Sequence, residues 1–257
     1  MEDQSLSKEF LALVRAIEHH SAIAWPALSV TQHYGWELRR SPPLVSRRVN
    51  SLNPVRPESG RFVDALTAAR SLLAESGSAL HVRMLPLADA DAYRSLRSRG
   101  LLPQGETTVE ILALTDKTAA DPRVALSFAP SYAWLDAYMV ADSHDVAERE
   151  ALLSVLNAVL MPQAFAMVVE DGEPLAVGRG AISDGRLGIF HIATRADRRK
   201  SGLGRAIVST LLDWGRRQAA EHAYLQVVTQ NHPARALYRS FGFQPCYTYD
   251  YWTVPMS

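Results

Sequence analysis

Between Ala164 and Thr194 three strand-like runs, Ala164–Glu170, Leu175–Ile182 and Arg186–Thr194, are separated by Asp171-Gly172 and Asp184-Gly185. Asp-Gly supplies the positive φ of tight hairpin turns, so this pattern predicts an antiparallel meander. The third run does not end in another hairpin. It passes through Arg198-Arg199-Lys200-Ser201-Gly202-Leu203-Gly204-Arg205 into a stretch whose apolar members Leu203, Ala206, Ile207, Leu211 and Trp214 keep one helical face. A meander feeding a glycine-containing basic turn and then a helix predicts a mixed-sheet α/β fold.

The rest of the chain punctuates in the same way. Helical patterns run from Lys8 to His20 with Ser7 as N-cap, from Arg61 to Ala74, from Ala90 to Ser98 closed by Gly100, from Ser131 to Val140, from Glu148 to Leu160 and from Pro233 to Ser240. Extended pieces are expected at Trp36–Arg39, Arg47–Asn50, His81–Met84, Thr107–Leu114, Tyr224–Val228 and Tyr247–Trp252. Setting Gly100 over Gly242, an offset of 142, also pairs Arg97 with Arg239, Ser98 with Ser240 and Pro103 with Pro245. The echo predicts a duplicated fold: one unit over residues 1–115, a linker over 116–124 and a second unit over 125–257.

With 257 residues, 47% hydrophobic and 21% charged, the chain is long enough for two cores and ordinary for a globular protein. Lys+Arg and Asp+Glu are both 27, so no global basic field draws it to nucleic acid or an anionic membrane, and neither is an expected partner. The single cysteine, Cys246, excludes an intrachain disulfide and a cysteine-based metal cluster, and it reads as a small buried apolar residue. The start Met1-Glu2-Asp3 is acidic, and no apolar run approaches the roughly 18 residues of a membrane span. A cytoplasmic protein is the expectation.

The chemistry concentrates at the basic turn. Gly202 and Gly204 let backbone N–H groups point outward at the positive end of a helix dipole. Arg198, Arg199, Lys200 and Arg205 surround them with more charge than one phosphate needs, so the expected ligand is a polyphosphate. No Gly-x-x-x-x-Gly-Lys-Ser/Thr is present, and Ile207 stands where a dinucleotide fingerprint has its third glycine. Nucleotide hydrolysis and hydride transfer are therefore disfavoured.

Arg199-Lys200-Ser201-Gly202-Leu203-Gly204 resembles the Gln/Arg-x-x-Gly-x-Gly/Ala motif of the GCN5-related N-acetyltransferase (GNAT) superfamily. Asn231, Ala234, Leu237-Tyr238 and Gly242-Phe243 resemble its second signature. The resemblance covers about residues 125–252; in the N-terminal half it rests on the echo alone, with Leu96 at the place of Tyr238. It implies a tandem chain of the acyl-CoA N-acyltransferase type, with a degenerate first unit and a mostly antiparallel sheet splayed at a cleft for acetyl-CoA. The backbone of Ile192, Ala193 and Thr194 would pair with the pantetheine arm. The amides of Lys200, Ser201, Gly202, Leu203, Gly204 and Arg205 would hold the pyrophosphate, with Arg199 also binding the cofactor, and Asn231 would bond it beyond the splay.

The implied reaction is direct attack of a primary amine on the thioester, without a covalent enzyme intermediate or a metal. Tyr238 would protonate the leaving thiolate. The family's two base positions fall on Gly188 and Gln226, neither a carboxylate, so His191 is the candidate base, with water or an already neutral amine as alternatives. A small amine or peptide N-terminus is the implied acceptor. Trp134, Asp136, Tyr138, His144, Asp145 and Glu148 lie where the family builds its acceptor pocket. His19-His20 reads as a solvated helix end, and Arg39-Arg40 and Arg47-Arg48 as solvent-facing positions. Two other readings stay open: a non-catalytic acyl-CoA-binding module, and an acyltransferase with a longer acyl donor or a hydroxyl acceptor. A homo-oligomer is compatible with the sequence.

Overall fold

The structure, a computed structural model, describes residues 6–74, 79–115, 118–142 and 148–255. Two-residue turns set its frame. Tyr34-Gly35, Asp171-Gly172 and Asp184-Gly185 hold positive φ at both positions, which matches the natural twist of paired strands. They join β1 (Ser29–His33) to β2 (Trp36–Arg40), and β7 (Gln163–Glu170) through β8 (Glu173–Ser183) to β9 (Arg186–Thr194). With β3 (Ser51–Pro54), β4 (Leu80–Met84), β5 (Pro103–Ala113), β6 (Val124–Ser127), β10 (His222–Val228) and β11 (Gln244–Val254), they build one open, mixed 11-stranded sheet. Its order is β1-β2-β3-β4-β11-β5-β10-β9-β8-β7-β6.

Helices cover both faces. On one side lie α2 (Phe62–Leu73), α3 (Ala90–Ser98), α6 (Leu203–Arg217) and α7 (His232–Arg239); on the other lie α1 (Lys8–Ala24), α4 (Tyr132–Asp142) and α5 (Arg149–Asn157). Shifting α2, β4, α3 and β5 by 142 residues lands on α6, β10, α7 and β11 to within a residue or two at their starts. The repeated units interleave. β11 lies between β4 and β5, and β5 lies between β11 and β10, so the last strand of each unit pairs with the other's inner strand. Trp252 and Val254 of β11 pack in the core under α2 and α3, while Leu112 of β5 packs against the core under α6.

The C-terminal end of α1 ties the units together. Arg39 on β2 donates to the carbonyls of Ala22 and Trp25 at 3.0 and 2.6 Å, and Arg179 on β8 donates to the Ala24 carbonyl at 2.7 Å. Both guanidinium groups are buried and satisfy carbonyls that a helix end leaves without partners. Burial lowers their affinity for the proton, Arg39 to about 10 and Arg179 to about 9.

Several local expectations change. Arg39 is buried, not solvent-facing, because β2 is an inner strand flanked by β1 and β3. His20 is also buried: α1 continues through Ser21 to Ala24, which carries His20 onto the inward face with Val14 and Ile17. There His20 Nδ1 lies 2.8 Å from the Tyr224 hydroxyl, and Nε2 accepts the Ser183 N–H at 3.2 Å. Arg47–Val49 is a 3-10 turn rather than extended, because the Asn50 amide accepts from Ser41 N–H and donates to the Leu44 and Ser46 carbonyls, closing the segment on itself. Cys246 is half-buried at a register break of β11. Strands β1, β3 and β6 carry too little alternation to stand out. In the segment expected as a linker, Asp121 N–H donates to Thr210 Oγ1 of α6 at 3.0 Å, and Val124 opens β6.

Candidate active site

β9 and β10 run parallel and pair only from Arg186–His222 to Ile189–Leu225. Beyond that point β9 continues to Thr194 against β8 alone, and β10 continues to Val228 against β5 alone. Two inner strands therefore separate and leave main-chain groups facing a cleft instead of a ladder. At the start of the opening the β8–β9 register slips between Val177 and Arg179, and His191 takes φ +56°. This bulge decides where the imidazole goes. Gly188 and Phe190 face α1, so regular alternation would turn His191 toward α6; instead it sits with Phe190 among Trp25, Trp134 and Tyr138, with ring centroids 4.6, 5.9 and 4.9 Å away.

The cleft runs down to the N-terminus of α6. Lys200 and Gly202 both lie in the left-handed region, at φ +64° and +83°, so the chain reverses tightly before Leu203. A Cβ at Gly202 would meet no atom within 4 Å, but its backbone angle is one that side chains rarely adopt. Gly204 lies where a Cβ would come 3.4 Å from the Leu237 side chain and 3.8 Å from Thr194 Oγ1, which places α7 and the end of β9 against the same turn. The charges divide. Arg195 pairs with Asp197 at 2.8 Å, Arg198 with Glu170, and Arg205 donates to Ser240 Oγ while lying 4.8 Å over the Phe241 ring. Arg199 and Lys200 are exposed and have no ion pair among the described residues. Uncapped amides, a helix dipole and two unpaired cations fit a diphosphate.

On the α7 side, the Asn231 carboxamide accepts the Ala234 N–H at 3.2 Å and caps that helix. Tyr238 is buried against Phe243, with centroids 6.0 Å apart. Burial, and then the charge of Glu110, push its phenol up to about 12, so it stays protonated at neutral pH. Glu110 comes from β5 of the first unit and pairs with Arg235 at 2.9 Å. No local motif marks it, because only the strand exchange brings it beside β10.

On the opposite side of the sheet, a cavity of about 340 Å³ opens at the splay. It is lined by Phe190 and His191 of β9, Val228 of β10, Tyr249 and Tyr251 of β11, and Arg47 and Arg48 of the 3-10 turn. Of the expected acceptor residues, Tyr138 and Glu148 line it. Asp136 does not: it is exposed and bonded to Arg149 at 2.7 Å. Trp134 is core, donating to the Ala166 and Gly178 carbonyls at 3.1 and 3.2 Å. His144 and Asp145 lie outside the described residues. A side chain at Gly188 would meet the Phe190 ring at 2.5 Å and the Tyr224 hydroxyl at 2.9 Å, so no carboxylate fits there. Gln226 is consumed by bonds to Ser21, Tyr249 and Arg83. Among the described residues no cluster of three or more His, Cys, Asp or Glu could hold a metal ion.

Comparison with known proteins agrees with this geometry. Residues 12–252 match the family model described as "Probable histone acetyltransferase Rv0428c C-terminal". The chain belongs to this family, and so to the GNAT acyltransferases. It is 23% identical over 243 residues to the uncharacterized N-acetyltransferase YobR of Bacillus subtilis (strain 168), covering 93% of this chain and 97% of that protein. Among solved structures it is similar to a GCN5-related N-acetyltransferase from Kribbella flavida, with TM-score 0.70, 15% identity and coverage of 94% and 95%. A tandem GNAT protein from the clavulanic acid biosynthesis pathway follows at TM-score 0.65 and 14% identity, with 94% and 88% covered. These GNAT chains are similar over nearly the whole length of this one, both units included. No helix among the described residues is long and apolar enough to cross a membrane.

Proposed function

We propose that this GNAT chain uses acetyl-CoA to acetylate a primary amine, with residues 125–257 carrying the transfer and residues 1–115 closing the acceptor side. The observation that carries this reading is the splay of β9 from β10 ending at the left-handed turn before α6. An extended pantetheine arm would add to the free edge of β9 along Ile192, Ala193 and Thr194, as a peptide adds to a sheet edge. The amides of residues 199–205, with Arg199 and Lys200, would hold the pyrophosphate, and Asn231 would offer its side-chain N–H groups beyond the splay.

When bound, the thioester supplies the acyl group and a thiolate as leaving group. The acceptor nitrogen bonds to the carbonyl carbon as the carbon–sulfur bond breaks. His191, on the cavity wall, takes the proton the nitrogen loses, and Tyr238, held protonated, gives its own to the departing sulfur. Burial pushes the Cys246 thiol up, which makes it a poor nucleophile and favours direct transfer over a covalent enzyme intermediate. A reducing cytoplasm suits that single free thiol.

The test is thiol release from acetyl-CoA across a panel of amines. Turnover with at least one amine, reduced roughly 10²–10³-fold in kcat by Tyr238→Phe while cofactor affinity is kept, supports the reading. Cofactor binding with no release above the uncatalysed rate on any amine would leave a binding module in its place.

A further inference from the structure

The cavity beside His191 has a charge balance that the transfer reaction does not itself need. Arg48 lines it, half-buried, with no hydrogen bond or ion pair among the described residues. It lines the cavity together with Tyr249 and Tyr251. Arg47 lies beside it, 4.7 Å over the Tyr251 ring. Gly105, at φ +62°, leaves the room: a Cβ there would come 2.7 Å from an Arg47 terminal nitrogen. Arg47 likewise has no carboxylate partner among the described residues.

Among the described residues the one carboxylate on the cavity wall, Glu148, accepts the Val45 N–H at 3.0 Å and thereby pins the turn that carries the arginines. Among the described lining residues, two guanidinium groups face one committed carboxylate, a cationic balance. Partly desolvated cations without a counter-ion are costly unless a ligand supplies one, and the planar Arg fork matches carboxylate and phosphate oxygens.

We propose that the acceptor is a small amine carrying a carboxylate or phosphate, whose anionic group is received by Arg48 and Arg47 while its amine lies toward His191. This rests on the acetyl-transfer reading above and narrows its substrate class. A volume of about 340 Å³ suits a small molecule. The same charges oppose polyamines and lysine-rich tails, and they favour the neutral, attacking form of an amine drawn between them. That relieves the demand on a base where Gly188 and Gln226 offer none.

Matched acceptor pairs that differ in one anionic group test the proposal: glycine against glycinamide, β-alanine against ethylamine, and O-phosphoethanolamine against ethanolamine. Spermidine and a lysine-rich peptide serve as cationic controls. For the full chain with saturating acetyl-CoA, the expected result is at least a tenfold higher kcat/KM for the anionic member of one carboxylate or phosphate pair. Which pair responds identifies the anion. Arg48→Met should lower kcat/KM for that member at least ten times more than for its neutral partner, chiefly through KM, and Arg48→Lys should restore part of the loss. Arg47→Met should act in the same direction if the variant at Arg48 folds poorly. Preference for neutral members, spermidine or the peptide, or an equal effect of Arg48→Met on both members of a pair, would overturn the proposal and leave the transfer reading intact. Absence of coenzyme A binding by the wild type would instead remove that reading, and this inference with it.

Discussion

Gly60 and Gly202 stand 142 residues apart, each in the left-handed region, at φ +72° and +83°, and each just before a helix of the repeated unit. Their surroundings differ. Around Gly202 the chain is Arg199-Lys200-Ser201, with two cations unpaired; around Gly60 it is Glu58-Ser59 and then Arg61, which is bonded to Asp64 at 2.6 Å and stacked 3.9 Å over Tyr34. The strands above them differ as well. β3 and β4 share a single register pair, Leu52–Val82, and next to it on β4 Arg83 is held by Glu18 at 2.5 and 3.0 Å and by the face of Tyr249 at 3.7 Å. Repeating the backbone therefore repeats the turn without repeating the unpaired cations beside it. At these places in the first unit Arg61 and Arg83 are held by ion pairs and aromatic rings, while the same unit brings Arg47 to the cavity and Glu110 of β5 to Arg235 of α7.

The strongest challenge to this comparison is to separate the units. A chain of residues 118–257 lacks β5 and leaves β10 and β11 with exposed edges where that strand belongs. It is expected to lack a cooperative unfolding transition as a monomer or to associate through the open edges, read by calorimetry and light scattering. A stable, cooperative monomer would show that the exchange is not needed for folding.

Next in size is a paired substitution. Gly202→Val should weaken coenzyme A binding by roughly 30-fold or more, because it disturbs the amides proposed to hold the diphosphate. Gly60→Val, with similar backbone strain of roughly 1–2 kcal/mol, should lower thermal stability and leave coenzyme A affinity unchanged. Equal effects on affinity would erase the distinction between the two turns.

A third contrast concerns the imidazoles. His191→Gln should lower kcat by roughly 10–100-fold and remove the acidic limb of the pH–rate profile. His20→Gln should not touch that limb, since His20 is buried behind Tyr224. Burial lowers His20 from 6.5 to about 4, so the unfolded chain binds the proton more tightly. Its contribution to stability is present above pH 6.5 and is lost as pH falls from there toward 4, by about 3 kcal/mol in total. Denaturant titrations across that window should show the loss in the wild type and a flatter profile in His20→Gln.

Much of this was legible in the chain itself. Asp-Gly turns are read locally, so the meander and its turn-to-helix exit stand in the sequence as they stand in the fold. The echo around Gly100 and Gly242 likewise marks equivalent turns after α3 and α7. What could not be read is non-local. The exchange of β5 and β11 leaves no periodic trace, since each strand carries the alternation it would need beside either neighbour. His191 reaches the cavity only through the bulge between β8 and β9, and Arg39 looks like a solvent-facing residue until the end of α1 is placed over it, as it is over Arg179. Buried charges answered by main-chain carbonyls are invisible to any search for opposite charges.

Titration of the intact protein with coenzyme A by calorimetry, run beside an Arg199→Ala/Lys200→Ala double variant of matched thermal stability, decides whether the turn before α6 is the diphosphate site. One ligand per chain, with affinity reduced at least tenfold in the double variant, is the expected result. No heat from the wild type, two ligands per chain, or equal affinity in both proteins would contradict it.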